Sequence, residues 1–316
     1  MSERAKDAAA DAADAGDAAS SPELACAAVN DALRLSDLHY DLAEELAEDE
    51  RLGEAAGRVQ AELQDISGGF VSFAKEAAAH AAVVVVRDLQ GVFDAMFDLK
   101  WEDGDSTQLR TLTSTLEDYE ADLDAWLPSR SYETLLRALL DKTLGGYIAA
   151  LLSKSDPFAT GTAAARTLRK DRDVLAAFFL KRGERLASTG LGDEAKVAAQ
   201  FAVLSAIADA AGSDPAHPPD EACARQFLLE FAGVEAGAEA FARALGLGGA
   251  YGPSGLEGAR LVLRGLAGGG GEADGGAVVE GRFRLEEKKA KRGVRAIGRR
   301  GSSGGASERA GNPFGL

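Results

Sequence analysis

Cysteine is almost missing from this chain. Its two copies, Cys26 and Cys223, lie far apart and form no C-x-x-C pair, so they fit neither a disulfide framework nor a zinc site and point to a reducing compartment. Proline is also scarce, with eight copies and none between Pro22 and Pro128, so nothing in that span forces a helix to stop. Long apolar runs are absent: the best, "AAVVVVRDL", is interrupted by Arg87 and Asp88 and falls short of the ~20 residues a bilayer span needs. The first twenty residues are rich in Ala and Asp, without the apolar core of a signal peptide or the arginines of a transit peptide. A soluble, intracellular protein is expected.

Catalytic signatures are missing as well. His39, His80 and His217 lie on different elements, with no Glu or Cys at metal-ligand spacing, no H-E-x-x-H and no G-x-S-x-G elbow. "GLGGAYG" at 246–252 has Tyr251 where a dinucleotide loop needs its third glycine, and "GGGGEADGG" lacks a G-K-[ST] continuation. Neighbouring acids such as Glu117 with Asp118, or Glu44 with Glu45, read as solvated helix faces. No cofactor, metal, small-molecule substrate or enzymatic activity is expected.

What is present is a large stock of aliphatic side chains on an acidic chain. At 316 residues and 46% apolar, a sizeable core can be buried. The net charge of −16 is unevenly spread: from Glu280 onward ten basic residues face four acidic ones, leaving 25 basic against 47 acidic before it. An acidic body repels the phosphate backbone, which disfavours nucleic acid. The tail segment "RFRLEEKKAKRGVRAIGRR" interleaves Phe283, Leu285, Val294 and Ile297 with basic residues. As a basic amphipathic segment, its Arg282, Arg284, Lys288, Lys289, Lys291, Arg292, Arg295, Arg299 and Arg300 suit an anionic lipid surface or a protein partner. A solubilising tail is the plainer alternative.

Periodicity indicates helices throughout. Ser21-Pro22-Glu23 is a helix start, with a hydroxyl cap, proline in the first turn and an acid at the positive dipole end. Leu35, Leu38, Leu42 and Leu46 then mark the apolar face of a first helix ending before Gly53. A second, longer helix is expected to bend at Gly68-Gly69 and to run on through Val85, Leu89, Val92 and Met96, whose spacing is helical. Gly104 and Asp105 are read as loop and cap. The stretch "LRTLTSTLEDYEADLDAWL" follows as a third helix, with Leu109, Leu112, Leu116, Tyr119, Leu123 and Trp126 at intervals of three and four. That stripe is the seam packing the third helix on its neighbours, and Trp101 is expected at the junction of the second and third helices.

A fourth helix from Ser131 to Leu152 has a wide apolar face and is expected to be central. A fifth carries Leu168, Leu175, Phe178, Phe179 and Leu186 and ends at "STGLG"; Asp193 caps a sixth through Val197, Phe201, Leu204 and Ala208. Shorter helices follow to Leu266. The expected fold is all-α, an elongated rod of stacked antiparallel helical bundles. Residues 1–20 form a disordered acidic tract, 21–190 a first bundle, 191–266 a second, and 267–316 a Gly-rich linker with the basic flexible tail.

The segment "DLQGVFDAMFDLKWEDGDSTQLRTLTSTLEDYEADLDAWL" resembles the C-terminal region of the exocyst complex component 3 family of vesicle-tethering subunits. Lys100, Trp101, Thr115, Leu116, Glu117, Asp118 and Tyr119 carry the likeness, and "CAAVNDALRLSDLHYDL", "YIAALLSK" and "ARTLRKDRDVLAAFF" fit in order. The resemblance covers roughly 25–266 and implies stacked helical bundles without an active site. It also implies a cytoplasmic protein, peripheral at plasma-membrane sites of exocytosis, whose partners are other exocyst subunits and SNARE proteins. The N-terminal coiled coil by which such subunits join the complex has no counterpart here, which marks the chain as a fragment or a truncated gene model. The stretch 212–255 matches loosely, and the tail from Gly268 lies outside the likeness.

Overall fold

A computed structural model describes residues 21–97, 99–104, 106–184 and 192–268, without side-chain detail at 50, 99 and 100. Contacts divide the chain into two units, Met1–Leu285 and Glu286–Leu316, and every described residue lies in the first. The expected disorder of 1–20, the helix end at "STGLG" and the basic tail fall wholly or largely outside the described residues.

Among the described residues the fold is all helical. In chain order the elements are α1 (Pro22–Ala47), a 3-10 turn (Glu50–Leu52), α2 (Ala55–Asp88), α3 (Gln90–Asp94), α4 (Leu99–Glu102), α5 (Thr107–Trp126) and α6 (Ser129–Leu152). They continue as α7 (Gly161–Gly183), α8 (Glu194–Gln200), α9 (Ala202–Gly212), α10 (Glu221–Glu230), α11 (Val234–Leu247) and α12 (Pro253–Gly268). Ser21 caps α1 by accepting the Leu24 amide, and Asp193 and Asp220 cap α8 and α10 in the same manner.

Helices α1 and α2 form an antiparallel hairpin whose interface is built of small residues. Ala25, Val29, Ala32, Ser36 and Ala43 are buried on α1, and Ser67, Ala74, Ala78, Ala81 and Val85 on α2. Close packing of these small faces turns the large residues of α1 aside: Leu35, Leu38 and Leu42, expected to form its core face, are exposed instead. Helix α2 runs unbroken across Gly68-Gly69, from Ala55 to Asp88, each glycine costing a helix only about 1 kcal/mol. The break comes later, at Leu89, where its amide donates to Val86 in a tight turn before α3. Helix α2 is long and apolar enough to cross a membrane by length and composition alone, a test that the core helix of a soluble protein also passes. Its small-residue face is the one packed on α1.

Helix α6 carries its wide face into the centre, burying Tyr132, Leu136, Leu139, Leu140, Leu144, Tyr147, Ile148, Leu151 and Leu152 against α2, α3 and α11. The sixth expected helix is two, α8 and α9, bent by 50° at Phe201. Helix α9 packs on α7, α10 and α11. Where α7, α9 and α11 meet, glycine is required: a Cβ on Gly161 or Gly248 would strike the Ala211 carbonyl. The "GLGGAYG" segment is therefore a helix-crossing element, tied further by the Phe158 amide donating to Leu247 at 2.8 Å.

Candidate functional site

The most constrained chemistry in the molecule is a carboxylate inside the core. Asp171 follows Leu168 by three residues and precedes Leu175 by four, so the apolar stripe of α7 carries it inward to full burial. Such a group is costly unless hydrogen-bonded. Trp101 Nε1 donates to its Oδ2 at 2.7 Å, Tyr147 hydroxyl donates to the same oxygen at 2.8 Å, and Ser106 Oγ donates to Oδ1 at 2.7 Å. Burial raises the Tyr147 hydroxyl well above its ordinary pKa, with the Asp171 charge and the shared hydrogen bond adding to it. Ser106 is the residue before α5, and its hydroxyl serves Asp171 rather than capping that helix. Asp105, expected as cap, lies outside the described residues.

Trp101 is thereby pinned between α4 and α7. Its ring meets Phe97 edge-on and Phe158 at a tilt, each with centroids 5.0 Å apart. A second polar cluster joins α5, α6 and α7. Arg182 Nη2 donates to Glu117 at 3.1 Å, Nη1 donates to the Phe178 carbonyl at 3.0 Å, and the guanidinium lies 3.4 Å above the Phe178 ring. Its Nε is 3.0 Å from Glu120 Oε2, an ion-pair contact without hydrogen-bond alignment. The other oxygen of Glu120 accepts from Tyr132 hydroxyl at 2.9 Å.

The α5 stripe separates into two parts. Leu109, Leu112, Leu116 and Leu123 are buried, while Tyr119 and Trp126 are half-buried against the same core. Tyr119 hydroxyl donates to Asp88 at 3.0 Å, and the Trp126 carbonyl accepts from Asn30 at 2.8 Å, fastening α5 to the hairpin. The basic residues from Arg282 to Arg300 lie outside the described residues.

Two clefts open elsewhere. One of about 480 Å³ includes Arg169, Asp209, His217, Asp220 and Cys223 in its lining. Arg169 is paired with Asp209 at 2.5 Å, and the Asp220 carboxylate accepts the Cys223 amide at 2.8 Å. Burial pushes the Cys223 thiol up to about 12, so at neutral pH it is protonated and a poor nucleophile. The other cleft, about 340 Å³, is lined chiefly by apolar residues including Phe241, Leu245 and Val262. Among the described residues, no group of three or more His, Cys, Asp or Glu could hold a metal ion. His39 is half-buried, its Nδ1 2.7 Å from the Leu35 carbonyl; His80 is exposed, and His217 sits beside Asp214.

Among the described residues, the Asp171 and Arg182 clusters thus tie helices together, and neither lines either of these clefts. Residues 1–214 match the family model of exocyst complex component Sec6. The chain belongs to the Sec6 family. A solved structure, the crystal structure of the C-terminal domain of the exocyst subunit Sec6p, superposes with a TM-score of 0.63 at 16% identity. It covers 85% of this chain. This Sec6-family chain in turn spans 66% of that one, and the likeness establishes the shared all-helical fold.

Sequence reading did not single out Asp171, Glu120 or Arg182, although a signal was there. Asp171 and Glu120 each lie three or four positions from large apolar residues on both sides, Leu168 and Leu175 for Asp171 and Leu116 and Leu123 for Glu120, and Arg182 follows Phe178 by four positions and Phe179 by three. A charge in the register of the apolar stripe marks a buried polar node in this Sec6-family fold.

Proposed function

We propose that this chain is a non-catalytic subunit of the exocyst, that it is exocyst complex component 3, and that it helps tether secretory vesicles to the plasma membrane before SNARE-mediated fusion. The family match over residues 1–214 carries the reading. The inward-turned polar clusters support it, since they stiffen a scaffold and present no reacting group to a cleft. Its partners are other exocyst subunits and SNARE proteins, and it works in the cytoplasm at sites of exocytosis. The basic residues Arg282 to Arg300 add a peripheral contact with anionic lipid, and the chain divides into bundles at 21–190 and 191–266.

The test is a pull-down from cytosol with the full chain, beside a version ending at 268, followed by mass spectrometry. Recovery of exocyst subunits or a plasma-membrane SNARE supports the reading; reproducible recovery of other partners without them overturns it. Vesicle flotation of the same two proteins tests the tail. Loss of binding to anionic vesicles on removing 269–316 is expected, and equal binding would refute the lipid contact.

A further inference from the structure

The exposed leucines of α1 have a counterpart on α2. The Ser36 and Ser67 hydroxyls meet at 2.8 Å and fix the register of the hairpin. Leu35, Leu38 and Leu42 lie about 100–160° round α1 from Ser36, and Ile66, Phe70 and Phe73 lie about 60–120° round α2 from Ser67, in the same rotational sense. Because the helices run antiparallel, both stripes emerge on one side. The His39 ring, 5.2 Å from that of Phe70, bridges them. Phe70 is half-buried, whereas Leu35 is 41% exposed, Leu38 62%, Leu42 42%, Ile66 46% and Phe73 49%. These are two ridges of large apolar side chains on one side of the hairpin, the kind of surface against which a further helix packs.

The surrounding charge selects the occupant. By the same rotation Asp41, Glu45, Glu62 and Asp65 lie along the outer margins of the two stripes against Arg34 and Arg58, while Asp37 and Glu44 lie on the opposite side. A second copy would bring the same excess against itself, and an anionic lipid surface would be repelled. A helix with aliphatic residues on one face and lysine or arginine along its flanks satisfies both the apolar ridges and the acidic field.

We propose that this side of the α1–α2 hairpin docks a basic amphipathic helix of a partner protein. The proposal rests on the reading of the chain as a partner-binding subunit and adds the chemistry of one partner. It is tested with a fluorescein-labelled synthetic three-heptad helix bearing Leu at a and d and Lys at e and g. A Glu-for-Lys version and a scrambled version of the same composition serve as controls. Fluorescence anisotropy with the full chain should give saturable, salt-sensitive binding of the Lys helix alone. The double variant Leu38→Ser, Phe73→Ser keeps the charge and changes two side chains about half exposed or more, so its circular dichroism should still report a folded helical chain while affinity falls at least tenfold.

Equal binding by the double variant, or equal binding of the scrambled or Glu helix, would overturn the proposal. So would sedimentation showing a dimer, or flotation showing vesicle binding, that the double variant abolishes. Failure of the Lys helix beside a positive pull-down would remove this surface and leave exocyst membership standing. A positive Lys helix beside a pull-down without exocyst subunits would do the reverse.

Discussion

Replacing Trp101 with alanine should be among the most damaging single changes in the chain. The indole is 1% exposed and packs on Phe97 and Phe158; deleting so large a buried side chain costs about 3–5 kcal/mol. Its Nε1 also supplies one of the donors to Asp171, and leaving a buried charged group short of a partner costs roughly 1–3 kcal/mol more. A loss of at least ~3 kcal/mol is therefore expected. Trp101→Phe separates the two contributions, since it keeps an aromatic ring in place and removes only the donor and part of the volume; it should cost about 1–3 kcal/mol. Urea unfolding followed by far-UV circular dichroism measures both, because tryptophan fluorescence is itself altered by the change. An alanine variant losing under ~1 kcal/mol with an unchanged denaturant slope would refute the assignment of Trp101 as the link between α4 and the α7 carboxylate.

Gly248→Ala places a methyl against the Ala211 carbonyl and should destabilise by about 1–3 kcal/mol. Gly68→Ala meets open space in the middle of α2 and should stabilise by roughly 0.4–1 kcal/mol; urea midpoints of the two variants should move in opposite directions. The raised Tyr147 pKa means the folded state holds that proton more tightly than the unfolded one. Its contribution is complete below the ordinary tyrosine pKa of about 10 and is lost as pH rises above it, so Tyr147→Phe should lessen the fall in urea midpoint on the alkaline side. Burial raises Cys26 to about 11 and Cys223 to about 12, so Ellman's reagent at mildly alkaline pH should react slowly with the native chain and rapidly with both thiols once urea is added.

Much of the fold could be read from spacing because helices dominate it. The Ser21 and Asp193 starts, the buried leucines of α5 and the wide face of α6 all follow from local pattern. The leucines of α1 show the limit. Leu35, Leu38 and Leu42 have the periodicity of a core stripe, yet the small residues Ala32, Ser36 and Ala43 face α2 because a close helix approach demands small side chains. Periodicity locates an apolar face without saying which chain covers it. The link from Asp171 to Trp101, Ser106 and Tyr147 was equally hidden, since the donors lie 70, 65 and 24 residues away in sequence. The two short helices α3 and α4 escaped notice because a four- or five-residue helix spans hardly more than one period.

Helix α2 has mechanical consequences. Its fully buried residues begin at Ser67 and are concentrated from Ala74 to Val85, so the segment from Ala55 to Gln64 is braced chiefly by α1. Twenty residues of helix measure about 30 Å, and a tilt of roughly 10° at the base moves the far end by about 5 Å. The turn between α1 and α2 is the far end of a lever, the hairpin, whose fulcrum is the contact of α2 with α6. A modest force at that tip arrives at the core multiplied.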